Sequence, residues 1–122
     1  MWVTDIEHNV GLFVHATLSN PSVSLPAKYV SAHTDIVPYK DLYAAYAEVS
    51  GKRVAYLECS PEQAEYILGI HGKELARQFK LNGVAPDWGK AHKGDVVTAK
   101  ELGIEGQLLG LKQSLEANKE KL

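Results

Sequence analysis

The length of the chain, 122 residues, limits the possible folds more than any other feature of the sequence. Domains most often contain about 100–150 residues, so the length predicts one domain covering residues 1–122. A chain of this size buries roughly two-thirds of the surface that its unfolded form exposes, which permits a hydrophobic core. It is too short for a dinucleotide-binding domain joined to a substrate domain, or for a (β/α)₈ barrel of about 250 residues.

Composition narrows the class of protein further. The formal net charge is −2, so no basic footprint indicates nucleic-acid binding. Cys59 is the single cysteine, which excludes an intrachain disulfide and a CxxC metal site. No apolar run approaches the ~18 residues of a membrane-spanning helix, and the first residues lack a secretory pattern. These features predict a cytoplasmic protein without membrane or nucleic-acid partners.

Charge is distributed unevenly along the chain. Before Lys40 the only charged residues are Asp5, Glu7, Lys28 and Asp35, whereas the last turns are rich in lysine and glutamate. The C-terminal end is therefore predicted to be a helix with a solvent-exposed charged face. The N-terminal third is expected to be covered, either by its own core or by a partner.

Apolar spacing and capping residues predict an α+β fold that is mainly helical with about two short strands. Ser60, Pro61 and Gln63 form a strong helix start, Gly51 ends the preceding helix, and Gly69 and Gly72 are expected to break the next one. Residues 81–93 are expected to be irregular. The predicted strands are residues 28–33 and 53–58, and the predicted helices are 5–19, 39–50, 60–68, 73–80, 97–103 and 107–121.

The glycine-rich loops that hold phosphates in nucleotide sites are missing from the sequence. Neither GxGxxG after a strand nor GxxxxGK[ST] occurs, so no dinucleotide or other cofactor site is predicted. His8 and His15 lie two helical turns apart, too far along the axis to bind one metal ion, and no metal site is predicted. Cys59 precedes a helix start, where a thiol can become nucleophilic. A buried, inert cysteine is the expected alternative, because free cysteines are usually buried.

Five side chains are candidates for a ligand site. His33 ends a predicted strand before a turn, a position where sheet proteins often place functional groups, and a purely structural role is the alternative. Four aromatic residues fit the walls of an apolar pocket, with ordinary core packing as the alternative. They are Tyr56, Tyr66, Phe79 and Trp88. In the pocket interpretation His33 supplies the polar contact to the ligand.

An ordered set of short matches resembles the C-terminal half of NmrA-like proteins, which are atypical short-chain dehydrogenase/reductases common in filamentous fungi. The matching segments are residues 11–16, 18–21, 28–30, 43–52, 72–75, 79–80, 87–88 and 101–104, across essentially the whole chain. The resemblance implies a substrate-binding lobe whose first strand belongs at the edge of a parallel sheet. In the family, the N-terminal Rossmann half carries the cofactor loop, and nothing in this chain matches that half.

Three functions follow from these observations and stay open at the sequence level. The first is binding of a small apolar or aromatic metabolite, with a non-redox accessory, isomerase or cyclase role in fungal secondary metabolism. The second is a protein-interaction or regulatory module, working as a homodimer or with another protein, since NmrA-like proteins include transcriptional co-regulators. The third is a truncated or split NAD(P)-dependent oxidoreductase that is inactive without a Rossmann-containing partner.

Overall fold

The computed structural model describes residues 1–26, 28–84 and 94–122 and is mainly helical with a few short strands. This confirms the α+β class. The chain forms two compact units. The first contains Met1–Val54 together with the described residues 94–122, and the second contains the described residues 55–84. Within these ranges, no helix combines the length and the apolar composition that a membrane crossing requires.

Two pairs of two-residue strands lie in the first unit. β1 (Trp2–Val3) pairs antiparallel with β3 (Asp35–Ile36), with Trp2 opposite Ile36. β2 (Tyr29–Val30) pairs in parallel with β4 (Val96–Val97), with Val30 opposite Val97. The predicted first strand is therefore present in shortened form. The predicted strand at residues 53–58 is wrong, because residues 51–60 are exposed along their whole length and form neither helix nor strand.

Three of the helices of the first unit lie within predicted helices, whereas the short helix Pro21–Ser24 is not among the predicted elements. The helices of this unit are α1 (Asn9–Ser19), α2 (Pro21–Ser24), α3 (Tyr39–Ser50) and α6 (Leu111–Ala117), with 3₁₀ turns at Glu105–Gln107 and Lys119–Lys121. Gly51 ends α3 with a φ of 70°, a left-handed conformation that glycine adopts at little cost. The predicted helix at 97–103 is instead a series of hydrogen-bonded turns after β4, and the predicted helix at 107–121 is divided into separate pieces.

The core of the first unit lies between α1 and the parallel strand pair. Its buried residues are Phe13, Ala16, Val97, Leu102 and Ile104. Val30 and Leu12 pack against this cluster as partly buried neighbours. Because Val30 of β2 and Val97 of β4 both pack in this core with α1, the core fixes the position of the residues that follow the two strands.

Buried polar groups join the start of the first unit to its end. Asn9 is fully buried, and its side-chain amide donates to the Leu109 carbonyl at 2.8 Å and accepts from the Leu109 amide at 2.9 Å. Asp5 is also buried, and its carboxylate accepts hydrogen bonds from the His8 backbone amide at 2.7 Å and from the Ser114 hydroxyl. The first helix therefore begins at Asn9 and not at residue 5 as predicted. Asp5 lies before the helix, where its carboxylate accepts the hydrogen bond from the His8 amide.

The second unit is a helical hairpin made of α4 (Pro61–Leu68) and α5 (Ile70–Val84). The predicted capping box is confirmed, since the Gln63 amide donates to Ser60 Oγ at 3.2 Å and Gln63 Oε1 accepts from the Ser60 amide at 2.7 Å. The predicted break at Gly69 is also confirmed, with a φ of 64°. The predicted break at Gly72 is wrong. Gly72 lies inside α5 against the Ala64 carbonyl, where a Cβ atom would come within 2.0 Å of the oxygen.

Candidate functional site

A cavity of about 330 Å³ lies in the first unit, beside the carboxyl ends of β2 and β4. Ser31 directly follows β2, and Thr98 directly follows β4. Because the two strands are parallel, both residues lie at the same edge of the pair and both line the cavity. The carboxyl ends of parallel strands are the usual place for ligands in open α/β sheets, which makes this cavity a candidate site.

Ser31 and His33 form the polar centre of the cavity. Ser31 is only 6% exposed, and its Oγ atom lies 2.9 Å from His33 Nδ1. The Ser31 amide donates to the Val97 carbonyl at 2.8 Å, so the strand pairing holds this residue in place. The Trp2 indole stacks on the imidazole, with ring centroids 4.9 Å apart and planes 22° apart. The hydroxyl and the stacked indole therefore fix the orientation of His33.

Charged and apolar side chains complete the lining. Lys100 and Glu105 both line the cavity, and neither forms an ion pair within the part of the chain that the structure describes. Ala99 and Leu108 supply apolar surface. The Thr98 hydroxyl donates to Glu101 at 3.0 Å, which orders the turn that carries Lys100. The cavity can therefore bind a molecule that has polar groups and an apolar body.

A second concave surface lies in the hairpin, in the groove between α4 and α5. It encloses about 440 Å³ and is lined mainly by apolar side chains. These include Ile67, Leu68, Leu75 and Phe79, with Cys59 and Lys80 also in the lining. Cys59 is exposed, so the expectation of a buried cysteine is wrong. The cysteine precedes the Ser60 cap in a segment, residues 51–60, that is exposed in the described structure.

The four predicted aromatic residues have different surroundings. Phe79 lines the groove, whereas Tyr66 is 93% exposed and lines another concavity, of about 450 Å³, with Leu57. Tyr56 lies in the exposed segment before α4, and Trp88 lies outside the described residues. His33 belongs to the first unit, while Tyr56, Tyr66 and Phe79 belong to the second. None of these three is buried, which argues against the core-packing alternative for them.

Four lining residues of the first cavity, Ser31, Thr98, Lys100 and Glu105, were not predicted as site residues. Ser31 had a usable signal, because it precedes His33 by two residues at the end of a predicted strand. The sequence predicts a helix over residues 97–103, and this prediction hides the position of Thr98 beside a second strand end. In the described residues, no group of three or more His, Cys, Asp or Glu side chains is placed to hold a metal ion.

Glu62, in the second unit, is an acid whose pKa is shifted from its ordinary value. The Ser60 hydroxyl lowers the pKa of this carboxyl, and the Glu62 backbone amide acts in the same direction.

Comparisons with protein-family models, with curated proteins and with solved structures find no match to this chain. The resemblance to NmrA-like proteins, and the oxidoreductase role that it implies, therefore stay predictions.

Proposed function

We propose that the chain binds a small molecule in the cavity beside β2 and β4, with Ser31 and His33 making the polar contacts. The observation that carries this proposal is the pairing of a buried hydroxyl with an oriented imidazole in a 330 Å³ cavity. Ligand sites are commonly concave, with few polar groups placed among apolar ones, and range from about 300 to 1,000 Å³. The size and the lining support a small ligand.

The lining favours one kind of ligand. Hydroxyl, imidazole and charged groups stand beside the apolar side chains of Ala99 and Leu108. A molecule with an aromatic or apolar body and a polar end matches this lining better than a wholly apolar metabolite. This adjusts the metabolite expected from the sequence, and it leaves a non-redox accessory role in secondary metabolism as part of the proposal.

Chemical-shift mapping tests this function. We expect hydroxybenzoic acids, used as probes with an aromatic body and a polar end, to shift the amide resonances of Ser31, His33, Thr98 and Lys100. His33→Gln should weaken binding about tenfold, because it removes a hydrogen bond worth roughly 1–1.5 kcal/mol. His15→Gln is the matched control, since His15 is an exposed histidine on α1. Equal binding by both variants, or shifts confined to the hairpin, would contradict the proposal.

A second candidate function, a protein-interaction or regulatory module, is favoured by the surface of the hairpin. Most large apolar side chains of α4 and α5 are exposed, namely Tyr66, Ile67, Leu68, Ile70, Leu75, Phe79, Leu81 and Val84. Exposed apolar patches of this kind commonly mark sites where another molecule binds. We expect the full chain to bind a hydrophobic dye, and Phe79→Ser to reduce the dye signal. An unchanged signal would count against an interaction role for the groove.

A further inference from the structure

The hydroxyl groups that line the cavity beside β2 and β4 have different partners. The Thr34 hydroxyl donates to a backbone carbonyl at 3.1 Å, and the Thr98 hydroxyl donates to a carboxylate at 3.0 Å. Ser31 Oγ instead lies 2.9 Å from His33 Nδ1. A serine hydroxyl becomes a strong nucleophile when an adjacent base takes its proton, and imidazole is the commonest such base. Ser31 is therefore the hydroxyl of this cavity that is placed for covalent chemistry.

Contacts around this pair fix its geometry. The His33 amide donates back to the Ser31 carbonyl at 3.0 Å, which forms a three-residue turn and keeps the imidazole beside the hydroxyl. The next amide, that of Thr34, donates to the Val3 carbonyl at 2.9 Å and ties the turn to β1. The Trp2 indole stacks on the imidazole. Because the nucleophile and the base are already aligned, little ordering is required when a substrate binds.

We propose that this cavity hydrolyses carboxylic esters, with Ser31 as the nucleophile and His33 as the general base. In the neutral imidazole that carries its proton on Nε2, Nδ1 takes the proton of the Ser31 hydroxyl while Oγ bonds to the ester carbonyl carbon. The carbonyl electron pair moves to its oxygen, and it returns when the bond to the alkoxide breaks and the His33 proton passes to that leaving group. Water then attacks the acyl-serine in the same way, which releases the carboxylic acid and restores both residues. This inference rests on the proposed binding function and gives the site a substrate class and a reaction.

The rest of the lining indicates which esters fit. Ala99 and Leu108 are apolar neighbours for the body of the substrate. Lys100 brings a positive charge to the cavity, which favours the negative oxygen that forms at the carbonyl. Glu105 carries the opposite charge, so the lining has no formal net charge when His33 is neutral, and it favours an uncharged ester over an anionic one. A volume of about 330 Å³ suits a small ester with one aromatic ring.

Covalent labelling of the full chain tests the nucleophile directly. We expect a fluorophosphonate probe to react, with Oγ bonding to phosphorus as fluoride leaves, and peptide mass spectrometry to place the label on Ser31. Ser31→Ala should lose this label. Ser22→Ala is the matched control, since Ser22 is an exposed serine on α2 in the same unit, and this variant should be labelled like the original chain. Absence of the label, or a label on another residue, overturns the proposal.

The rate of labelling at Ser31 measures the role of His33. His33→Ala should slow the labelling about hundredfold, because a general base typically contributes at least that factor. Free imidazole should restore part of the rate, since it can enter the space left by the side chain and take the same proton. His15→Ala is the control, because His15 is an exposed histidine on α1, and it should leave the rate unchanged. A slow rate that imidazole does not raise shows a structural role and overturns His33 as the base.

Turnover of p-nitrophenyl acetate, an uncharged ester with an aromatic ring, separates the reaction from the binding function. We expect the original chain to release p-nitrophenol at least about tenfold faster than Ser31→Ala does. Equal rates, with amide shifts still caused by hydroxybenzoic acids, overturn the ester reaction and leave the binding function standing. Equal rates without such shifts overturn both. Far-UV circular dichroism checks that each variant keeps its helical content.

Discussion

Asp5 shows how one buried side chain joins distant parts of the first unit. Its carboxylate accepts from the His8 amide, from the Ser114 hydroxyl and from the Asn118 side-chain amide at 3.2 Å. These donors favour the ionised form, and the Ser114 hydroxyl makes the largest contribution to lowering the pKa of Asp5. Ionised Asp5 therefore holds the residues before α1 against α6 and the residue that follows it.

We predict that this group makes the first unit sensitive to acid. Because the pKa of Asp5 is lower in the folded chain, its contribution is fully present above the unfolded pKa of about 3.9 and is lost as the pH falls through the folded pKa. Asp5→Asn should reduce the free energy of unfolding at neutral pH by about 1–3 kcal/mol, the usual range for a charged hydrogen-bonded group. Urea unfolding followed at neutral and at acidic pH measures both effects.

The exposed Asp95 provides the control for this prediction. Asp95→Asn should leave the acid sensitivity as it is in the original chain, because no hydrogen bond to the Asp95 carboxylate exists in the described residues. If Asp5→Asn loses stability on acidification as steeply as the original chain, another group is responsible. The sequence places Asp5 at the start of the predicted helix over residues 5–19. It did not predict the Ser114 contact, because 109 residues separate the two partners along the chain.

The hairpin shows which local signals specify an element and which do not. The Ser60 cap and the Gly69 break were predictable, because capping and positive φ depend only on neighbouring residues. The role of Gly72 was not predictable, because it depends on the approach of the Ala64 carbonyl from the other helix. A glycine inside a helix is ambiguous until the packing partner is known.

Two glycines of α5 allow a matched test of this packing. Gly72→Ala should destabilise the hairpin by about 1–3 kcal/mol, because its Cβ atom would overlap the Ala64 carbonyl oxygen and force the helices apart. Gly83→Ala should stabilise the hairpin by about 0.5–1 kcal/mol, since no atom of the described residues lies within 4 Å of its Cβ position and alanine is the better helix former. Hydrogen exchange of the α4 and α5 amides measures both changes. Similar protection in the two variants would show that the contact is not tight.

The strands show that an alternating pattern can predict a strand where none forms, and that real strands can lack the pattern. Residues 53–58 alternate as a strand should, yet no described strand pairs with them and they are fully exposed. By contrast, β1, β3 and β4 have two residues each, which is too short to show any alternation. The parallel pairing of β2 with β4, which creates the candidate cavity, depends on residues 67 positions apart, and nothing local to either strand indicates it.

At the scale of the whole molecule, the two units differ in how much they bury. The first unit holds Phe13, Val97, Leu102 and Ile104 in its core, whereas the buried residues of the described second unit are Ala64 and Gly72. Burial of large apolar side chains is the main stabilising contribution to folding. The single domain expected from the length stays a prediction, and the structure divides the chain into two compact units with different amounts of core.

We predict two unfolding transitions by differential scanning calorimetry at low protein concentration. The lower transition belongs to the hairpin, and the upper belongs to the first unit. Phe13→Ala should lower only the upper transition, since removing a buried phenylalanine costs about 3–5 kcal/mol. Gly72→Ala should lower only the lower one. A single transition whose calorimetric and van't Hoff enthalpies agree would show that the units unfold together.

The two hydrogen bonds between the Asn9 side chain and the Leu109 backbone also bear on the order in which the units fold during synthesis on the ribosome. The partners are 100 residues apart, so the first unit lacks Leu109, and the core residues Val97, Leu102 and Ile104, until residues 97–109 have been made. The hairpin depends only on residues close together in sequence and can form as soon as α5 emerges. Domains usually fold from the N-terminus as they are made. In this chain the hairpin is therefore complete before the first unit, and the core face of α1 lacks its partners until residues 97–104 have been made.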